Sequence, residues 1–227
     1  MLVEFGASLY VADGPTVSFF GFPYPTRMAA VRLADANVWV WSPIALTDEL
    51  AHAIEQVGAV RHIVTPNKLH HLFLAQWAER WPQACLYAPP GLARRMPNLR
   101  FDAQLQDAPQ AAWAADIDQV IFRGSFAMEE VVFFHKASRT AIFGDLIQRH
   151  ARGSMSYLKD LLMRFDGLVG ERGSTPREWR ASFLDRKSAR RARQKVIDWK
   201  ADRLLIAHGE NVTQRASDVI ADALDWI

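Results

Sequence analysis

Four residues of the types that bind metal ions follow three apolar runs. They are His70 and His71 in TPNKLHHLFLAQW, Asp145 in FGDLI and His208 in AHGE. Neutral imidazole and carboxylate form the common donor set for zinc, iron and manganese. The runs that precede them, RHIVTP, RTAIFG and RLLIA, have strand character, and loops beyond strand ends are where a rigid sheet holds functional groups in place. The spacing predicts a helix from about His70 to Trp81. A helix N-terminus there would disfavour imidazolium and keep the rings neutral, as ligation requires. Each residue also has an ordinary use: adjacent histidines capping a helix, an aspartate or a His-Gly pair in a turn. The shared placement after strands separates them from isolated motif matches.

Other groups sit near these positions in the chain. His135 alternates with Phe133, so the two share a strand face. It is a candidate catalytic group beside Asp145, although a hairpin-end histidine is more commonly solvated. Arg139, in KASRT, is a candidate to bind an anionic group of a substrate in bidentate fashion, with a surface turn arginine as the commoner use. Glu129 and Glu130 open a strand and could supply a general base; such pairs are usually exposed. Cys85, in ACLYAP, lacks a basic neighbour in sequence and reads as a buried small hydrophobe. The basic stretch from Asp185 to Lys200 reads as the solvated face of a helix rather than a phosphate-binding surface.

The elements that must position these residues can be read from periodicity and turn signals. The first 45 residues read as strands, with MAAVRLADANVWVWSP as a hairpin that puts Trp39 and Trp41 on one face. Thr47 caps a helix from Asp48 to about Val57. RHIVTP and ACLYAP are short strands, and PGLARRM is a short helix. DQVIFRG, EEVVFFHK and RTAIFGDLI are three further strands. From about Met155 the pattern turns helical, Trp179 to Trp199 holds one or two helices, and RLLIAHGE is a last strand. A closing amphipathic helix follows, with Thr213 as its cap. That order suits a layered α/β fold with helices outside mixed sheets, and not a doubly wound sheet. No GxGxxG or GxxxxGK[ST] follows a strand, which argues against nucleotide binding.

Composition narrows the function classes. Half of the 227 residues are hydrophobic and 23% are charged, the balance of a globular protein. The expectation is one domain over residues 1–227. A formal net charge of +2 gives no reason to expect a nucleic-acid or membrane partner. The single cysteine excludes an intrachain disulfide. The start has no signal-peptide pattern and no run of about 18 apolar residues occurs, so the expected location is the cytoplasm and the expected partner a small molecule.

The order of these motifs resembles the metallo-β-lactamase superfamily. Its first motif is T-H-x-H-x-D-H. Thr65 matches the Thr, Pro66 and Lys68 fall where two histidines belong, His70 falls at the Asp, and His71 matches the last His. Asp145 resembles the bridging Asp of T-G-D, and His208 the last His of G-H-G. The middle His of P-G-H has RGS, 123–125, as its counterpart. The phrases TPNKLHHLFLAQW and FFHKASRTAIFGDLI also resemble an uncharacterised bacterial family on a degenerate form of this fold. The resemblance implies a four-layer αββα sandwich with mixed sheets. Because the positions of the first metal are replaced, it implies at most one ion of zinc, iron or manganese, held by His70, His71, Asp145 and His208. Two readings follow. One is a mononuclear hydrolase of an ester, thioester, amide or phosphoester. The other is a metal-free binding module in which Lys68 takes the place of the lost ion beside Asp145, with Lys68 and Arg139 as substrate-binding cations.

Overall fold

The computed structural model describes residues 1–19, 21–153 and 157–227. Phe20 and the helix start expected near Met155 lie outside the described residues. Seven strands form the first sheet in chain order: β1 (Val3–Gly6), β2 (Leu9–Phe19), β3 (Phe22–Arg32), β4 (Asn37–Trp41), β5 (Ala59–Val64), β6 (Cys85–Ala88) and β7 (Ala103–Gln104). The first four run antiparallel, and β4 to β7 run parallel. The second sheet holds β8 (Ile117–Phe122), β9 (Glu130–His135), β10 (Thr140–Phe143) and β11 (Arg203–Ile206), in the order β11-β10-β9-β8. Its first three strands in chain order are antiparallel, and β11 returns parallel to β10.

Period-2 alternation sorts the apolar side chains of both sheets into three cores. Between the sheets, Trp39, Trp41 and Val31 of the first meet Phe133, Ile142 and Leu205 of the second. The alternate positions of the first sheet, such as Val38, Val40 and Ile63, pack under α1 (Asp48–Val57), α2 (Leu74–Arg80) and α3 (Leu92–Arg95). Those of the second, such as Phe122, Phe143 and Ile206, pack under α5 (Arg177–Ala181), α6 (Arg186–Asp198) and α7 (Ala216–Ala223). The result is the expected αββα sandwich. Helix α4 (Tyr157–Phe165) precedes α5.

Local signals account for most element ends. The Thr47 hydroxyl accepts from Leu50 N–H and caps α1 as expected. The closing helix is different: Arg215, in left-handed conformation, precedes it, and Thr213 is not its cap. The basic stretch is α6, which buries Ala189, Ala192 and Val196 and turns most of its cations outward. Two of those cations are used structurally. Lys195 pairs with Asp118, and Arg193 donates to the carbonyls of Ala221 and Leu224 at the end of α7. Among the described residues no helix is long and apolar enough to cross a membrane.

Candidate metal centre

The parallel pairs β4–β5 and β10–β11 deliver their C-terminal ends to one end of the sandwich. Ser42 follows β4, the 65–73 segment follows β5, Asp145 follows β10 and His208 follows β11. His70 Nε2 lies 3.2 Å from Asp145 Oδ2, and His208 Nε2 lies 3.0 Å from Asp145 Oδ1. One donor atom from each of the three residues lies within 4.8 Å of the others. The two imidazole rings are 5.4 Å apart, and Tyr24 sets its ring edge-on to His208 at 5.0 Å. A cavity of about 650 Å³ opens over the triad.

The expected helix start at His70 is not found. Residues 69–73 form turns, and α2 begins only at Leu74. Asn67 forms an Asx-turn, its side-chain oxygen accepting from Leu69 N–H at 2.8 Å, and a three-residue turn follows in which His71 N–H donates to Leu69 O at 2.9 Å rather than to a carbonyl four residues back. The dipole argument for neutral imidazoles therefore does not apply to these rings. The same turn separates the two histidines. His70 points to Asp145, while His71 Nδ1 lies against Leu69 O and its Nε2 faces Arg95. Burial, then the nearby Arg95 charge, lowers the His71 pKa. His71 lines the cavity without joining the triad.

A buried scaffold holds the Asp145 loop. Glu130, at the start of antiparallel β9, reaches the same end of the sheet and has no exposed surface. Its carboxyl accepts from the backbone N–H groups of Gly144 (2.9 Å) and Asp145 (2.7 Å), with a longer share from Leu146. Asn67 Nδ2 donates to both Glu130 Oε2 (3.0 Å) and Asp145 Oδ2 (2.9 Å). Gly144 is required by space: a Cβ there would stand 2.9 Å from both Glu130 Oε2 and Pro66 Cγ. Burial, then the Asp145 charge, pushes the Glu130 carboxyl up to about 7, against these donors. For Asp145, burial opposes ionisation but is outweighed by His70 and His208, which hold its carboxyl well below the usual carboxylate range. For His208, burial opposes protonation and the hydrogen bond and charge of Asp145 outweigh it, so its pKa is raised. Burial, then Asp145, also raises Tyr24 to about 12, so it stays a phenol.

Hydrogen-bond chemistry tests whether this donor set fits a cation. His208 Nδ1 lies 2.8 Å from Pro25 O, an oxygen that only accepts, so Nδ1 carries a hydrogen. Nε2 then faces a carboxylate oxygen. Its lone pair would be repelled there unless it holds a second proton or a cation. His70 Nδ1 meets the Ser42 hydroxyl at 2.7 Å, which can donate or accept and so permits either tautomer. Two imidazoles oriented through their far nitrogens and one ionised carboxylate meet the requirements of a three-ligand site with open positions. The residues fit a divalent ion.

The other expected groups lie elsewhere. Thr140 pairs with His135 across the β9–β10 hairpin, which places His135 at the end of β10 opposite Asp145. There His135 is buried and bonded to Ser138. Arg139 sits at that same far end, paired with Asp202, and does not reach the cavity. Lys68 lines the cavity, but its ammonium donates to Ala127 O rather than standing beside Asp145. Glu130 is the departure from the usual exposed acid pair, while Asn67 and Ser42 have no motif or spacing that marks them in the sequence.

His135 gives a pH-dependent prediction. Burial lowers its pKa to about 4, against about 6.5 in the unfolded chain. Between these values the unfolded chain binds more protons. The neutral ring's contribution is therefore fully present above about pH 6.5 and is lost as pH falls towards 4, on the order of 3 kcal/mol. His135→Gln should flatten denaturant-derived stability between pH 4 and 7 relative to the parent. Metal content should not change, because His135 is remote from the triad.

The family model described as Domain of unknown function (DUF4336) matches residues 17–153. No curated protein matches. Among solved structures, the DIM-1 metallo-β-lactamase exposed to ceftazidime aligns with a TM-score of 0.66 at 13% identity, covering 99% of this chain and 96% of that one. The metallo-β-lactamase from Pontibacter korlensis gives 0.65 at 13% identity, covering 99% and 98%. FIM-1 from Pseudomonas aeruginosa, a metallo-β-lactamase in its mono-zinc form, gives 0.62 at 14% identity, covering 99% and 94%. Likeness at these identities shows the fold.

Proposed function

We propose that this chain, which belongs to the DUF4336 family and has the metallo-β-lactamase fold, holds one divalent metal ion on His70, Asp145 and His208 and hydrolyses a small-molecule ester, thioester, amide or phosphoester. The observation that carries the reading is His208. Its Nδ1–H is committed to Pro25 O, and its Nε2 is aimed at an ionised carboxylate, an arrangement that calls for a positive charge between them. When bound, a divalent ion such as zinc, iron or manganese supplies Lewis acidity that polarises a carbonyl or phosphoryl group and acidifies water.

The chain's own groups have separate tasks. Pro25 O and Ser42 orient the two imidazoles. Asn67 and Glu130 hold the Asp145 loop. Asp145 is held so far below neutrality that it is a weak proton acceptor at pH 7, so its task is ligation rather than general-base catalysis. The Tyr24 phenol and Gln148 line the cavity as polar groups for orienting a substrate. The metal-free alternative loses Lys68 as a substitute for the ion, since Lys68 turns to Ala127. Its remaining support is that the His70–Asp145–His208 network closes through hydrogen bonds when His208 is protonated.

The test is a hydrolysis panel of carboxylic esters, thioesters, amides and phosphodiesters, with protein loaded with zinc, iron(II) or manganese. The expected result is turnover of one class that chelation removes and the ion restores. Equal rates for the loaded, chelated and Asp145→Asn proteins on every class would overturn the hydrolase reading.

A further inference from the structure

The walls of the cavity are unlike its floor. The triad lies at the base, while Leu72, Phe126, Met128 and Trp179 give the walls and mouth an apolar character. Leu72 and Phe126, 61% and 76% exposed, carry the apolar lining of the cavity out to its mouth, and a contiguous apolar surface of this kind is a feature of ligand-binding grooves. Two cations share the same rim. Lys68 is half-buried, and the carbonyl it meets leaves two of its three donors available. Arg95, exposed at the end of α3, donates to His71 Nε2 through a long 3.4 Å bond. Gly91 starts α3 close to Lys68: a Cβ there would stand 4.0 Å from Lys68 Cδ. Among the described residues neither cation has a carboxylate within ion-pair distance, whereas Arg27, Arg80, Arg123, Arg139 and Arg149 do.

We propose that this cavity selects amphipathic anions, with an acyl or aryl body on the Leu72–Phe126–Trp179 wall and a carboxylate held between Lys68 and Arg95. The proposal deepens the hydrolase reading and rests on this cavity being the substrate's. A volume of about 650 Å³ suits a drug-sized organic molecule rather than a polymer. The apolar wall supplies affinity through burial, and the paired cations set the orientation of the anionic end through charge-assisted hydrogen bonds. Lys68 also ties down the loop that carries Phe126, through Ala127 O, so its charge and its tether must be separated experimentally.

The experiment uses the full chain stripped of metal, so that it does not depend on whether an ion binds or hydrolysis occurs. The fluorescent apolar probe N-phenyl-1-naphthylamine reports occupancy, and decanoate and 1-decanol compete for it. In the parent, decanoate should displace the probe at about tenfold lower concentration than decanol. Lys68→Met and Arg95→Met should each reduce that preference about threefold, and the double variant should abolish it; the decanoate-to-decanol ratio reads the charges, because loosening the Phe126 loop moves both competitors together. Phe126→Ser should weaken decanoate and decanol alike. Equal displacement by the two competitors in the parent would overturn the proposal. So would a preference that survives in the double variant, or a loss in Lys68→Met that is the same for acid and alcohol, which would leave Lys68 only a tether. A protein that passes this test and hydrolyses nothing would keep the anion site and lose the hydrolase reading.

Discussion

Asp145→Asn should lower zinc affinity by about a hundredfold or more. The substitution keeps the shape of the side chain and removes the one ionised ligand of the triad. It also acts without metal. In the parent the Asp145 carboxylate raises the His208 pKa against burial. The imidazolium–carboxylate pair therefore contributes stability fully below the unfolded value of about 6.5, and that contribution is lost as pH rises through the folded pKa. With asparagine at 145 the two largest raising influences are gone and burial is opposed only by the Pro25 carbonyl and the Glu130 charge, so the His208 pKa should fall relative to the parent. Zinc titration reads the first effect and NMR titration of the His208 ring the second. Unchanged zinc affinity with an unchanged His208 titration would remove Asp145 from the centre of the site.

Glu130→Ala should destabilise the protein by about 3–5 kcal/mol, the largest loss of stability expected from a single side chain in the site. The alanine would leave the backbone N–H groups of Gly144 and Asp145 and one Asn67 hydrogen without an acceptor in a region closed to water. It would also open a void beneath Gly144, against which the carboxylate now packs. Glu130→Gln keeps the volume and one acceptor but points an amide NH2 at existing donors, so an intermediate loss is expected. Thermal and denaturant unfolding of the three proteins measure the order. If Glu130→Ala melts with the parent, the Asp145 loop is held by something other than this carboxyl.

Strand ends were the legible part of the site. Asp145 and His208 follow apolar runs that could only be strands, and parallel pairing of β10 with β11 brings the two together. His135 and Arg139 were misplaced for the complementary reason. An antiparallel hairpin reverses direction, so residues close to Asp145 in sequence lie at the far end of its strand, while the more distant Glu130 lies beside it. The choice between His70 and His71 was not legible, because adjacent residues leave a turn in opposite directions and this turn is closed by the backbone, His71 N–H on Leu69 O. That same turn delayed the helix to Leu74 despite helical spacing from Leu69 onward. The sandwich was readable from alternation in strands such as NVWVW, whose two tryptophans share one face as expected, the face that meets the second sheet. Ser42 and Asn67 act across sheets and strands, so only tertiary structure reveals them.

The central claim is that His70, Asp145 and His208 hold one metal ion. Its most direct test is metal stoichiometry of untagged protein purified without chelator, measured by elemental analysis and repeated after zinc titration. One ion per chain is expected in the parent, with none retained after gel filtration in His208→Ala and in Asp145→Asn. A parent that binds no ion even at saturating zinc, with the His70–Asp145–His208 hydrogen bonds intact, would contradict the claim, as would two ions per chain.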